Sequence, residues 1–401
     1  MDRVILHCDC NSFFASVETA LNPVYRGVPM AVCGSQENRH GIVLAKNEEA
    51  KAYGVQTAET VHSARRKCPG LVIAEPHYSE YSRYSKLVNR IYSDYTDLVE
   101  PFGIDESWLD VTASRRLFGS GPEIAEQIRQ RVKAEIGITV SIGVSFNKAF
   151  AKLGSDYRKP DAITVLDKEN YRSIVHPLPV GSLLFVGKRT EQQLAAMGIR
   201  TIGELASTSR ELLVTRFGKS GDLLYAYSRG LDDSPVARIG DRDDAKSVGN
   251  GITFKHDLAT RDECRIGIDF LTDEIGRRLR QGGYKATTVS VSIKDPFLRI
   301  SQHQRPLAKA SDIGRELSTL AYRILVEEWS DGSPIRAITV TALGLVRSES
   351  DHEQIDIFSS GADDVRVKSK KREEMMDIIR QKYGLSSIVA ASFLGTDIGI
   401  E

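Results

Sequence analysis

Val4-Ile5-Leu6-His7-Cys8-Asp9-Cys10-Asn11-Ser12-Phe13-Phe14-Ala15-Ser16-Val17-Glu18 changes its period halfway along. Residues 4–8 are apolar or β-branched and run straight into Asp9, the pattern of a buried strand that ends in a carboxylate. From Asn11 onward Phe13, Phe14, Val17 and Leu21 recur at three or four residues, the spacing of a helix. A carboxylate set in apolar sequence at such a junction is costly to desolvate, so it calls for a cation or donors beside it.

Working outward, short strands are expected at 29–33 and 41–45, and a helix at 47–53 stopped by Gly54. Residues 78–95 form a longer helix whose Tyr81, Tyr84, Leu87, Val88, Ile91 and Tyr95 make one apolar stripe, read as core. Strands at 98–102 and 108–111 are joined through Gly103-Ile104-Asp105-Glu106-Ser107. A helix at 122–135, a strand at 139–144, a helix from Asn147 and a strand at 162–166 follow, without a strict βαβ repeat, which predicts an α+β sheet. Residues 166–240 turn helical, with two short helices around a glycine turn, and the Asp-rich stretch 231–245 reads as a linker.

Beyond it the order is strand, helix, strand, strand, helix, strand, at 247–255, 263–281, 285–295, 298–304, 313–328 and 335–346. That β-α-β-β-α-β order is ferredoxin-like. One face of the second strand carries Thr288, Ser290, Ser292 and Lys294, small donors that either follow a phosphate backbone or simply face solvent.

The 401 residues suit about two to four domains. With 41% hydrophobic and 27% charged residues, the composition is that of a packed globular chain rather than a disordered one. Five cysteines without a C-x-x-C pair argue against a disulfide framework or zinc knuckle and favour a reducing, cytoplasmic setting. Apolar stretches fall short of the roughly 18 residues of a membrane span, and residues 1–4 do not begin a signal peptide. Lys and Arg equal Asp and Glu at 54 each, so total charge names no partner. Residues 244–347 carry 16 basic against 13 acidic side chains, which permits phosphate contact without demanding it.

Asp9, Asp105 and Glu106 are the candidate chemistry. Neighbours on a flat strand face opposite ways, but at the bend of a hairpin Asp105 and Glu106 can converge. Joined by Asp9 they could hold two divalent ions for in-line phosphoryl transfer, with Mg2+ the natural occupant. Acidic pairs in turns are also commonly just solvated, and spacing alone leaves both readings open.

The stretch 7–18 quoted above, Gly103-Ile104-Asp105-Glu106-Ser107-Trp108-Leu109-Asp110 and Ser141-Ile142-Gly143-Val144-Ser145-Phe146-Asn147-Lys148-Ala149-Phe150-Ala151-Lys152-Leu153 together resemble the Y-family translesion DNA polymerases, the bacterial polymerase IV branch above all. The likeness spans about the first 345 residues. It implies a right-hand polymerase: a ferredoxin-like palm (1–22 and 77–166), small fingers (23–76), a helical thumb with a helix-hairpin-helix-like element (167–240) and a ferredoxin-like little finger (241–347). Asp9, Asp105 and Glu106 then correspond to the metal-binding carboxylates and Cys10 to the position whose backbone carbonyl completes the shell. Two Mg2+, with Mn2+ as a substitute, would serve attack of a primer 3′-hydroxyl on a deoxynucleoside triphosphate. Phe14 matches the steric gate that excludes a 2′-hydroxyl. Ser12, Phe13, Lys51 and Lys159 correspond to nucleotide-binding positions, with Phe13 read mainly as core. Lys152, Gly187, Lys188 and Gly198, with Thr288, Ser290, Ser292 and Lys294, are the expected DNA contacts. A soluble monomer working on primer–template DNA at low fidelity is implied.

The sequence also departs from that family. Relatives read A-T-x-Y-E-A-R in the fingers, where the Thr, Tyr and Arg grip phosphates; here the stretch is Ala45-Lys46-Asn47-Glu48-Glu49-Ala50-Lys51. An ammonium cannot reproduce bidentate phosphate binding, and Glu48 repels a triphosphate unless it turns away or Lys46 offsets it, so nucleotide affinity should be weak. Gly103 replaces the usual Ser, and Phe185-Val186-Gly187 the usual G-I-G turn of the thumb, which puts one backbone donor in doubt. In the tail (348–401), Gln354-Ile355-Asp356-Ile357-Phe358 resembles a peptide that docks on a sliding clamp, through Gln354, Ile357 and Phe358. A helix at 368–383 with Met375, Met376, Ile379 and Tyr383 on one side is expected to pack back on the core. Two rivals remain: a DNA- and clamp-binding accessory protein with an impaired polymerase site, and a nucleotide cyclase on the same palm.

Overall fold

The computed structural model describes residues 3–35, 39, 41–241, 244–330, 332–348 and 362–400. Contacts divide the chain into two units, Met1–Gly34 with Ile42–Arg242, and Ser35–Gly41 with Asp243–Glu401.

The first unit holds strands β1 (Ile5–Cys10), β2 (Met30–Cys33), β3 (Val43–Lys46), β4 (Val72–Ala74), β5 (Val99–Pro101), β6 (Glu106–Asp110), β7 (Val140–Ser145) and β8 (Ile163–Leu166). Five of them form one sheet in the order β5-β6-β1-β7-β8, and β3-β2-β4 form a smaller one. The apolar run at 4–8 becomes the central strand, antiparallel to β6 and to β7.

Side chains alternate across β1. Leu6, Cys8 and Cys10 enter the core shared with helices Phe13–Leu21, Tyr78–Ser93 and Gly121–Arg131. Ile5, His7 and Asp9 lie on the other face, where Ile5 packs with Ala151 of helix Lys148–Tyr157. That helix approaches β7 closely because glycines meet: a Cβ on Gly154 would lie 3.0 Å from Gly143 Cα. Asn147, whose side chain accepts from Phe150 N, starts the helix.

Helices Tyr171–Val175, Lys188–Ala196, Ile202–Ser207, Arg210–Phe217 and Lys219–Ser228 share one apolar cluster, as the helical reading of 166–240 expected. The stretch read as a linker is in part a strap. Val236 is buried, Ala237 N donates to Glu100 Oε2, and Ile239 N donates to the carbonyl of Asp97.

In the second unit, β9 (Ser247–Leu258), β10 (Tyr284–Lys294), β11 (Ile300–Ser311) and β12 (Ile335–Arg347) form an antiparallel sheet in the order β11-β10-β12-β9. Helices Arg261–Gly282 and Gly314–Glu328 pack on its apolar face, completing the expected β-α-β-β-α-β order. The strands run longer than periodicity suggested.

One expectation needs correction. Ser290 is not an open donor: it is 2% exposed, and its hydroxyl accepts from Gln302 Nε2 at 3.0 Å. Thr288, Ser292 and Lys294 stay half-exposed. The tail helix, Ala362–Tyr383, docks on its own unit, but by only half of the expected stripe, since Met376 and Ile379 are half-buried. Met375 and Tyr383 are exposed; Glu373 and Arg380 are buried instead. Glu373 accepts from Gly314 N at 2.9 Å and from Arg280 Nη1 at 2.6 Å, and Arg280 also pairs with Asp377. The clamp-like peptide, Gln354, Ile357 and Phe358 included, lies outside the described residues.

Candidate active site

The register of the central strands decides which acids meet. Asp9 on β1 stands directly across from Glu106 on β6, and Cys10 N donates to the Asp105 carbonyl at 3.0 Å. The hairpin thus folds the acidic pair back onto the end of β1. Gly103 leaves room there, since a Cβ would lie 3.2 Å from Glu106 Cγ and 3.3 Å from Asp105 Oδ1.

Two lysines answer the carboxylates. Lys152 Nζ lies 2.5 Å from Glu106 Oε2, and Lys159 Nζ 2.7 Å from Asp9 Oδ2 and 2.7 Å from Asp156. Burial would raise the Glu106 carboxyl, but the ammonium of Lys152, hydrogen-bonded to it, outweighs that and holds Glu106 low. Burial raises Asp9 despite Lys159. Asp105 is pushed up to about 6 by burial and by its neighbours Asp9 and Glu106. The lysines therefore leave negative charge unbalanced, and an all-oxygen donor set with surplus negative charge suits a hard divalent cation such as Mg2+. Asp105 is drawn close enough to feel both partners, yet the ligand atoms grouped within 4.8 Å of one another are those of His7, Asp9 and Glu106. The Cys10 side chain is buried in the opposite face, so only its backbone can serve an ion.

Helix Phe13–Leu21 begins beside this cluster, and Ser12, which precedes it, takes a left-handed φ of 47°. A non-glycine residue held there costs about 1 kcal/mol, and its first turn leaves backbone N–H groups free of intrahelical partners. Phe14 lies flat on Tyr81 at 4.1 Å and 10°. Tyr81 is itself fixed, donating to buried Glu18 at 2.5 Å. Phe13 is 3% exposed and belongs to the core, so its ring is closed to a nucleotide, as the core reading held.

The fingers departures have a structural consequence. Lys51 lies 3.4 Å from Glu48 Oε2, and Ser12 Oγ donates to Glu48 Oε1 at 3.3 Å, while Lys46 turns to Thr57. Lys51 is the direct partner of Glu48, and Lys46 acts on it only through its charge. In the thumb, Phe185 has a φ of 67°, a conformation glycine adopts freely, so the turn keeps a left-handed backbone without its usual glycine. Gly187 caps helix Lys188–Ala196, Lys188 is exposed, and Gly198 has a φ of 81°.

Two residues escaped the sequence reading. Asn11 is 5% exposed and joins three segments: it donates to Ser141 Oγ at 2.8 Å and accepts from Thr139 Oγ1 at 3.0 Å and Asp161 N at 2.8 Å. It thereby ties the turn carrying Lys159 to β1. His7 sits on the Asp9 face with Nδ1 2.8 Å from Ser155 Oγ and Nε2 3.4 Å from Glu106 Oε2. Its position two residues before Asp9 on a strand was the available signal.

Comparisons with known proteins agree with this geometry. Residues 8–156 match the impB/mucB/samB family, 245–357 the C-terminal domain of that family, and 183–232 the thumb domain of DNA polymerase iota. A DNA polymerase IV of Acetivibrio thermocellus is 46% identical over 97% of this chain and 96% of its own. One from Moorella thermoacetica is 40% identical over 96% and 94%, and DNA polymerase IV 1 of Bacillus subtilis 36% over 96% and 92%. A solved Y-family DNA polymerase chimera shares the fold, with a TM-score of 0.74 at 23% identity over 86% of this chain and 99% of that one. With the palm strands, their acidic hairpin and the little-finger sheet all in the expected order, the chain belongs to the Y family of DNA polymerases, in its bacterial polymerase IV branch.

Proposed function

We propose that the protein is a template-directed, low-fidelity translesion DNA polymerase whose nucleotide grip is weak. The observation that carries this is the cross-strand pair of Asp9 and Glu106, each held by its own lysine, with Asp105 crowded against them. Asp9, Asp105, Glu106 and the Cys10 carbonyl would hold two Mg2+ (or Mn2+), which when bound lower the pKa of a primer hydroxyl and neutralise a triphosphate. The remaining work belongs to the chain. Lys152 orients Glu106. Lys159, tethered to Asp9 and Asp156, is poised to move its charge to an incoming phosphate. Free N–H groups at the start of helix Phe13–Leu21 suit a phosphate oxygen. Phe14, backed by Tyr81, is a flat wall against which a 2′-hydroxyl would clash.

Weak nucleotide binding follows from the Glu48–Lys51 pair, which spends the one cation left at the family's phosphate-gripping position. Primer–template DNA would be held by backbone donors at Gly187 and Gly198, by Lys188, and by Thr288, Ser292 and Lys294. A sliding clamp is the partner suggested by Gln354, Ile357 and Phe358. Five buried cysteines, none of them in a disulfide, suit a reducing cytoplasm, and a monomer suffices for this chemistry. Among the described residues no helix is long and apolar enough to cross a membrane.

Extension of a labelled primer by wild type and by Asp105→Ala is the test. Wild-type extension with Mg2+, abolished in the variant, is expected. Equal, near-zero extension by both would favour the accessory reading, in which the fingers departures have ended catalysis. A nucleotide KM as low as that of relatives with Tyr and Arg in the fingers would refute the weak grip.

A further inference from the structure

His7 is 0% exposed, yet its Nε2 has no hydrogen-bond partner. The network around the ring fixes where its proton sits. Ser155 Oγ donates its single proton to the Lys152 carbonyl at 2.7 Å, so toward His7 Nδ1, 2.8 Å away, it can only accept. Nδ1 therefore carries the hydrogen and Nε2 the lone pair. A lone pair then faces a carboxylate oxygen across 3.4 Å, an arrangement that a cation between them would turn from repulsive to attractive.

The spacing fits such a cation. One ligand atom from each of His7, Asp9 and Glu106 lies within 4.8 Å of the others. Bonds of about 2.0–2.1 Å in a tetrahedral shell put neighbouring ligands about 3.3–3.4 Å apart. Nε2 and Glu106 Oε2 already stand at 3.4 Å. The ring's second nitrogen is anchored through Ser155 to the helix backbone, the outer-shell support that metal-binding imidazoles ordinarily have.

We propose that His7 Nε2, Asp9 and Glu106 form a binding position for a borderline transition-metal cation of the Zn2+ or Co2+ type, one that overlaps the all-oxygen position of Mg2+ at Asp9 and Glu106. Imidazole suits such ions and is a poor ligand for Mg2+. Bound there, the ion takes the place of the Lys152 ammonium at Glu106 and ties up two of the three carboxylates, so it competes with Mg2+. Asp105 lies outside this ligand set, which separates the proposal from the polymerase reading.

The test is titration of the full-length protein, free of DNA and nucleotide, with Co2+ followed by its visible absorption, and with Mg2+ by calorimetry. His7→Asn should weaken Co2+ binding at least tenfold and change Mg2+ binding less than twofold. Asp105→Ala should do the reverse. Equal Co2+ affinity in wild type and His7→Asn, or parallel loss of both metals, overturns the proposal. Should His7→Asn fail to fold, X-ray absorption of wild type with one equivalent of Co2+ decides: an imidazole nitrogen in the shell supports the site, and an all-oxygen shell overturns it. Loss of Mg2+ binding in Asp105→Ala without any loss of primer extension would count against the polymerase reading alone.

Discussion

Gly143→Ala offers the sharpest test of how the fold holds the site. Gly143 lies in the middle of β7, where a Cβ would sit 1.9 Å from the carbonyl oxygen of Ala151 and 2.5 Å from Ser155 N. Both are backbone atoms of one helix, so no side chain can swing aside. Ordinary contact begins at 3.4 Å, and from 1.9 Å the helix must retreat by about 1.5 Å. A dense interior does not absorb this locally, and overpacking costs typically 1–3 kcal/mol; a backbone clash belongs at the upper end, about 3 kcal/mol. The same retreat draws Lys152 from Glu106 and Ser155 from His7, contacts of 2.5 and 2.8 Å in the native chain. A misplacement of about 1 Å at a site can cost about a hundredfold in rate, so stability and primer extension should fall together. The chain has two tryptophans. Trp108 belongs to this unit, with its indole donating to the Lys148 carbonyl, and Trp329 to the other. Urea unfolding followed by Trp108 fluorescence in a Trp329→Phe background therefore reads the affected unit. Gly70→Ala is the control: nothing lies within 4 Å of that Cβ. If Gly143→Ala unfolds within about 0.5 kcal/mol of wild type and extends primers at the wild-type rate, the close helix–strand contact is not what holds the site.

Other perturbations read other parts of the structure. Phe185→Gly removes an exposed ring from a left-handed residue, and relief of about 1 kcal/mol of backbone strain offsets the added chain entropy of glycine, so the melting temperature should be unchanged or higher; a loss above about 1 kcal/mol in thermal melts would contradict the strain. Glu263 is held at about 2 because hydrogen bonds from His256, Thr260 and nearby backbone outweigh its burial. A carboxyl lowered from 4.5 stabilises the fold above that pH and loses the effect as pH falls through 4.5 toward 2. With its side chain 28% exposed, the contribution is about 1 kcal/mol after screening, so Glu263→Gln should cost that at pH 7 and less than half of it at pH 3 in urea titrations. Arg280→Ala strands Glu373 and Asp377 without their guanidinium; removal of one partner from such a buried set costs about 3–5 kcal/mol, enough to undock helix Ala362–Tyr383. Limited proteolysis should then cut within 362–383 while the sheet of that unit stays protected.

Much of this architecture was legible because strong local signals agreed with one another. An apolar run ending in Asp9 reads as a buried strand with a carboxylate at its end, and the structure buries that strand on both faces. Alternation in 285–295 and the strand–helix order around it gave the second unit its topology, since both faces of that pattern could be counted. The gathering of the acids was partly legible: the hairpin at Gly103–Ser107 was read as a bend, but which atoms come nearest depends on the register of β1 against β6, and register is a property of pairing. His7 was lost in the same way. It was counted as one residue of a buried run, although its two-residue offset from Asp9 places both on one face. Asn11 had no local signal at all, for its partners lie at 139, 141 and 161.

The tail helix shows why apolar periodicity misled where it did. A stripe of Met375, Met376, Ile379 and Tyr383 predicts an oily contact, but the surface it meets carries Arg280 and the open backbone N–H groups at the start of helix Gly314–Glu328. Those groups need a negative charge more than they need hydrocarbon. A carboxylate at a helix start is stabilised by the peptide dipoles as well as by its hydrogen bonds. Glu373 answers both demands, and Arg380 closes the set by pairing with Asp273 at 2.8 Å. The helix is therefore rotated so that its charges face inward, leaving Met375 58% and Tyr383 66% exposed. Residues 373 and 380 are seven apart, two turns of helix, so the inward stripe was present in the sequence at helical spacing. It was written mainly in charged residues, with half-buried Met376 between them, and a reading that scores only apolar recurrence assigns those charges to solvent.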